Sequence, residues 1–301
     1  QLSRVGSPEA DMSRRASIQD YFFWQAAQYA PIFLPQFLFP PIEELIERNP
    51  IYAHQITWTL GFQPKEFWSL EKWWTPVTHM LLHVTWEHLF SNVTTELIQV
   101  TNLKDQIGFP GLYVIFFGGG IYATLVDHFP DGKFRLFSWR GEPYSSSYAD
   151  WGLSLPKTFT DNLPGIPIIT ENVLPFVNRM MTGIQSVLDR LKLPQVVIGS
   201  STGGFALLGA GALHDLEMIF LDVLGNTCST GTFLRLIWLN NISAQVAINY
   251  SAVAAGQLQG VFYSGHLNGF VFGAGIYAIV RAGQYARATY KDFFEGVADE
   301  A

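Results

Sequence analysis

Cysteine is all but absent: Cys228 stands alone in 301 residues. That excludes an intrachain disulfide framework and any cysteine-based zinc cluster. Charge is scarce as well. Asp, Glu, Lys and Arg make up 14% of the chain, against about 25% in an ordinary soluble domain. Hydrophobic residues reach 49%, aromatics 15%, and the mean hydropathy is +0.17, which excludes intrinsic disorder. The formal net charge is −7 and no basic face stands out, so nucleic acid is not an expected partner. Internal repeats and low-complexity tracts are missing too. What remains is the composition of a membrane protein, with lipids as its first partner.

The few charges are unevenly placed. None occurs between Arg235 and Arg281, a run of 45 residues. As helix that is about 67 Å, enough for two crossings of a ~30 Å hydrocarbon core with a turn between them. Gln106 to Val126 and Leu193 to His214 are also free of charge, and each suits one span. Val84 to Thr101 is a weaker candidate, interrupted by Glu87, His88, Asn92 and Glu96. Tyr21 to Pro41 has no charge but several prolines, so it reads as a broken span or an interfacial segment. The expectation is an all-α membrane protein with six spans, at about 21–41, 84–102, 108–127, 195–214, 235–256 and 262–281.

This divides the chain into a polar tail (1–20), a first half of the membrane domain (21–127), a long extramembrane insertion (128–192), a second half (193–282) and a carboxy-terminal tail (283–301). Within the insertion, Val173 to Leu191 has the spacing of an amphipathic helix, with Phe176, Met180, Ile184, Val187 and Leu191 on one face. Its aromatic residues, among them Trp139, Tyr144 and Trp151, suit a docking surface for partner subunits. Six spans put both tails and the short loops after spans two and four on one side. That side gathers Arg4, Arg14, Arg15, Lys104, Arg281, Arg287 and Lys291, so it faces the cytosol or an organelle matrix. The Arg- and Ser-rich tail, beginning at Gln1 and not Met, reads as the trimmed start of a processed or transit-peptide-bearing precursor. The expected location is therefore a multi-pass integral position, in the mitochondrial inner membrane.

Polar groups inside a membrane are costly and are functional candidates by default. Span two opens with His79, His83, His88 and Asn92. Span four opens with Gly199, Ser200, Ser201, Thr202, Gly203 and Gly204. Span six opens with Gly265, His266, Asn268 and Gly269. Under the six-span topology all three start on the non-cytoplasmic side, so Ser201, His266, His88 and Asn92 share a depth. His88 and Asn92, four apart, share a helix face. Gly265, Gly269 and Gly273 recur every fourth residue, and such stripes let membrane helices approach closely. Close approach of spans four and six puts an imidazole near a hydroxyl, the minimum for an activated nucleophile. His88, Asn92 and backbone N–H groups at Ser201 then suit an oxyanion. The plainer reading of Ser201 alone is a serine bonded to a helix carbonyl. His79 and His83 have the spacing to share a metal, but no carboxylate in register joins them. Structural hydrogen bonding is the reading for that pair, and neither a metal nor a cofactor is expected. Trp68, Trp73, Trp74 and Trp86 suit an interfacial aromatic belt.

These residues resemble the rhomboid intramembrane serine proteases. The motifs are His79-Met-Leu-Leu-His83 followed by His88-Leu-Phe-Ser-Asn92, Gly199-Ser200-Ser201-Thr202 followed by Phe205, and His266-Leu-Asn-Gly269-Phe-Val-Phe-Gly273. The resemblance covers spans two to six and implies a rhomboid-like six-helix bundle. It implies a Ser–His dyad with no acidic third member: Ser201 as nucleophile and His266 as base. It assigns His88 and Asn92 to the oxyanion site, and it matches Phe205 to the aromatic position that packs on the base. His79, His83, Gly199 and Gly269 support the site.

Two positions depart from the pattern. Thr202 replaces the glycine after the nucleophile, and its branched side chain is expected to narrow the oxyanion site. The family's Trp-Arg pair in the first loop reads Trp74-Thr75. Two functions follow: an intramembrane protease cleaving transmembrane protein substrates, or an inactive rhomboid-like structural subunit of a larger membrane complex. A transporter is disfavoured, because the two halves carry no matching broken helices.

Overall fold

The computed structural model describes residues 23–128, 186–187, 190, 196–254 and 263–299. Among these residues everything regular is helical, apart from a single antiparallel bridge between Phe62 and Val197. The aromatic stretch of the insertion and most of its amphipathic segment lie outside the described residues.

Helix α1 covers 23–33 and tightens into a 3-10 turn, Leu34–Phe37, where Pro35 removes a backbone donor. The proline-rich candidate span is thus a helix with a tightened end. Its last turn carries Gln36 into the interior, 2% exposed.

The first loop is a folded unit. It consists of α2 (Ile42–Arg48), α3 (Pro50–Leu60), α4 (Pro64–Trp68), α5 (Thr75–Thr78) and a 3-10 turn His79–Leu81. Pro50 and Pro64 open their helices, where a missing N–H costs nothing. Lys72 clamps the loop. Its Nζ lies 3.6 Å from the Trp58 ring centre and donates to Trp58 O at 2.7 Å and to Gln63 Oε1 at 3.1 Å. Partial burial pulls its pKa down, against the opposing pull of Glu66 and Glu71. Thr75, standing where the family pattern has arginine, is buried and donates to Lys72 O at 2.8 Å. Beside α2, Val187 joins the cluster of Ile42, Leu45, Ala53 and Leu82, and Arg190 lies 3.8 Å from Glu43.

Helix α6 (Trp86–Tyr113) starts at Thr85, whose side chain caps His88 N at 3.2 Å. At Gly108, φ is +66°, with Pro110 just after. The chain reverses there, because Thr124 at the far end ends up 3.3 Å from His79, which precedes α6. A π-helical stretch, Val114–Gly118, leads into α7 (Gly119–Asp127). Three long helices follow: α8 (Ser201–Leu224), α9 (Thr230–Ala254) and α10 (Tyr263–Asp299). Helix α10 runs through most of the segment read from sequence as a tail.

Helix α8 is the central post, packed by α6, α7, α9 and α10. Its small residues set the approach. A Cβ at Gly209 would overlap the Phe270 carbonyl, and one at Gly273 would overlap the Ala206 carbonyl. Ala206, Leu207 and Ala210 fill the core with Phe116, Leu103 and Tyr277. Outward faces are apolar: Phe220, Leu224, Phe233, Leu236, Ile237 and Ile279 are exposed, as lipid-facing side chains require.

Among the described residues, Trp86–Val126 is the stretch long and apolar enough to cross a membrane by length and composition. Six such stretches are expected from the sequence. Helices α8, α9 and α10 are each long enough, at about 36 Å or more, but they carry many small and polar residues. Asp215, Glu217 and Asp222 on α8, and Arg235, Asn241 and Asn249 on α9, dilute their hydropathy. Among the described residues the fold is helical, and the long apolar stretch and apolar outer faces are those of a membrane protein.

Candidate functional site

The segment before α8 is fixed by backbone bonds to the first loop. Phe62 and Val197 exchange two hydrogen bonds of 2.9 Å, and Gly199 N donates to His79 O at 2.9 Å. Gly199 has φ +116°, a conformation that favours glycine. A Cβ there would also press on the His88 ring, 2.8 Å from Cε1. The chain then turns into α8, so Ser201 sits in the first turn, where backbone N–H groups have no helical acceptor.

Ser201 Oγ lies 2.8 Å from His266 Nε2. Phe205, one turn along α8, lies flat on the His266 ring, with centroids 4.3 Å apart and planes at 2°. Tyr263 meets the same ring edge-on at 6.5 Å. The other imidazole nitrogen, Nδ1, is 2.8 Å from Asn249 Oδ1 of α9. Gly269, one turn after His266, lets α10 settle against α8, since a Cβ there would overlap the Thr202 carbonyl. His266 is 7% exposed and Ser201 half-buried.

His88 and Asn92 both face α8 but meet different neighbours. His88 lies against Gly199, and its Nδ1 has no partner among the described residues. The Asn92 amide donates to Ser200 Oγ at 3.3 Å, not to Ser201. Ser200 is a hub: His83 Nε2 lies 3.2 Å away, Gln36 Oε1 3.0 Å and Glu96 Oε1 3.0 Å. Gln36 Nε2 also donates to Glu96 Oε2 and to Ile32 O. Glu96 is fully buried, turned into the bundle. His79 donates from Nδ1 to Thr75 O at 3.0 Å; burial depresses its pKa to about 4, and that of His83 well below the ordinary value. Thr202 points elsewhere. Its Oγ1 lies 3.5 Å from where a Gly120 Cβ would be, on α7, so the hydroxyl packs between helices.

Sequence reading passed over Asn249, Gln36 and the Ser200 hub. A signal existed for Asn249: an amide inside a charge-free run marks itself as functional. At the opposite end of α8, Glu217 binds Arg281 and accepts from Tyr277 and Tyr285. That cluster is about 24 Å along the helix from Ser201. Among the described residues no group of three or more His, Cys, Asp or Glu is placed to hold a metal.

Chemically, a hydroxyl facing an imidazole nitrogen, beside free helix N–H groups and a second imidazole, is an arrangement for acyl transfer. A family model described as Rhomboid domain matches residues 70–140. The match holds His79, His83, His88 and Asn92, and ends before Ser201. No curated protein and no solved structure matches the chain.

Proposed function

We propose, from the premise that this chain is a rhomboid-like membrane protein, that it is an intramembrane serine protease cleaving transmembrane protein substrates. The observation that carries this reading is the 2.8 Å contact between Ser201 Oγ and His266 Nε2. In the proposed mechanism His266 removes the serine proton as Oγ attacks the scissile carbonyl. The backbone N–H of Ser201 and the His88 ring take the oxyanion charge, and His266 returns the proton to the leaving nitrogen. The six-span topology belongs to the same proposal: α1, the two limbs of Trp86–Val126, α8, α9 and α10 supply six helices, with the 128–192 insertion on the active-site side. The Arg-rich amino-terminal segment supports a matrix-facing end in the mitochondrial inner membrane.

The test is labelling of the detergent-solubilised chain by a fluorophosphonate probe, together with cleavage of a single-span substrate. Labelling lost in Ser201→Ala and in His266→Ala, with both variants folded, is the expected result. Absence of labelling and cleavage in a folded wild type overturns the reading. Recovery of that inactive chain in a stable complex, with Ser201→Ala assembling normally, establishes the structural-subunit alternative.

A further inference from the structure

We propose that Asn249 is a positioning residue that extends the Ser201–His266 pair to a hydrogen-bonded chain of three; this rests on the protease reading above. Three helices meet at the imidazole. Ser201 comes from α8, His266 from α10, and Asn249 from α9, 6% exposed.

The hydrogen-bond directions leave one consistent arrangement. Asn249 Nδ2 donates to Gln245 O at 2.8 Å, one turn earlier on the same helix. That anchor turns the amide's NH2 end toward a carbonyl and leaves Oδ1, an acceptor only, facing His266 Nδ1 at 2.8 Å. An acceptor at that distance requires a proton on Nδ1. The neutral imidazole then presents its lone pair from Nε2, and that lone pair meets Ser201 Oγ at 2.8 Å. Among the described residues no other group holds the ring's proton on the far side, and the tautomer with Nε2–H cannot accept from serine at Nε2. The Phe205 stack fixes the ring plane but not which nitrogen is protonated.

During acyl transfer the serine proton moves to Nε2. The Oγ–carbonyl carbon bond forms, the C–N bond breaks, and the proton leaves on the departing nitrogen. In the intermediate, both ring nitrogens carry protons, and the Nδ1–H bond to Asn249 becomes charge-assisted and stronger. Asn249 stays neutral and takes no proton. The logic is that of a Ser-His-Asp or Cys-His-Asn site, in which the third member holds tautomer and orientation.

The experiment uses the full chain in detergent micelles with ¹⁵N-labelled histidine, the His266 signals being identified by their loss in His266→Gln. The expected wild-type spectrum is that of the Nδ1–H tautomer. Asn249→Leu should give the Nε2–H form or a mixture, and lower kcat on the order of 10²-fold with KM within about twofold. Asn249→Asp keeps the acceptor and should keep the Nδ1–H tautomer and a kcat within about tenfold of wild type. An Nε2–H tautomer in wild type overturns the proposal, as does an Asn249→Leu variant with unchanged tautomer and kcat. If Asn249→Leu does not fold, the wild-type and Asn249→Asp spectra decide alone. If the wild type neither cleaves nor labels, the protease reading falls, while the tautomer still settles what Asn249 does to His266.

Discussion

The Phe205 ring covers one face of the His266 imidazole, 4.3 Å away and within 2° of parallel. A stack so flat between residues on two different helices holds the ring in the plane that aims Nε2 at Ser201. Phe205→Ala removes that support and opens a space in which the imidazole can turn. Aromatic pairs contribute about 0.5–1.5 kcal/mol beyond their buried area. The expected outcome is a roughly tenfold lower kcat with KM little changed, and slower fluorophosphonate labelling in proportion. Phe205→Tyr keeps the stack and should stay near wild type. A Phe205→Ala chain that labels at the wild-type rate contradicts the role.

Ser200 is the neighbour of the candidate nucleophile, yet four polar side chains converge on its hydroxyl. Its hydroxyl stands among His83, Asn92, Gln36 and Glu96, drawing together α1's tightened end, the first loop, α6 and α8. Ser200→Ala leaves several buried polar groups short of a partner, and each such loss costs about 1–3 kcal/mol. The melting temperature in detergent should fall by roughly 5 °C or more. Ser201→Ala removes one half-buried hydroxyl and should shift it far less. Equal shifts for the two variants would contradict the hub.

Thr202 shows where sequence and structure part. Its branched side chain, beside the candidate nucleophile, suggests an obstructed oxyanion site. In the fold it is 1% exposed and turned toward Gly120. Thr202→Gly therefore opens a void between α7 and α8 and loosens the first turn of α8, at a cost of about 1–2 kcal/mol. The expected result is a lower melting temperature with no gain in kcat. A variant that turns over faster at unchanged stability restores the obstruction reading.

How far the site is legible in the sequence depends on which helices meet. The four-residue step from His88 to Asn92 places both on one face of α6, and the Gly269–Gly273 step forces α10 against α8. Those are local periodicities that a single helix displays by itself. Which neighbour each side chain finds is not local. Asn92 finds Ser200, and Gln36 finds Glu96 across 60 residues of chain, because α1 ends in a 3-10 turn that rotates Gln36 inward. Asn249 finds His266 only because α9 packs beside α10. Hydropathy is the weaker guide: the glycines, serines and threonines that let these helices touch also make α8 and α9 look less like membrane spans. The missing loop arginine is similar, since a lysine two residues before Trp74 clamps the loop from another position.

His79 sits at the junction of the first loop and the bundle, fully buried, bonded to Thr75 O and beside Thr124. Burial is the main cause that lowers its pKa to about 4, from the 6.5 expected of an exposed histidine. The neutral ring is therefore favoured in the folded protein. Above pH 6.5 it is neutral folded or unfolded, and its contribution to stability is fully present. As pH falls from 6.5 toward 4, the unfolded chain takes up a proton that the folded chain refuses, so stability is lost over that window. A shift of that size amounts to roughly 3 kcal/mol at the acid end. His83 shifts in the same direction, again chiefly through burial. The measurement is melting temperature against pH in detergent. The difference between wild type and His79→Asn should be flat above pH 6.5 and shrink steadily below it. His79→Asn keeps a polar group at the junction but cannot titrate, so its curve should start lower and fall less steeply. Parallel curves for the two proteins would mean that the acid loss arises elsewhere and that His79 does not couple the loop to the bundle through its charge.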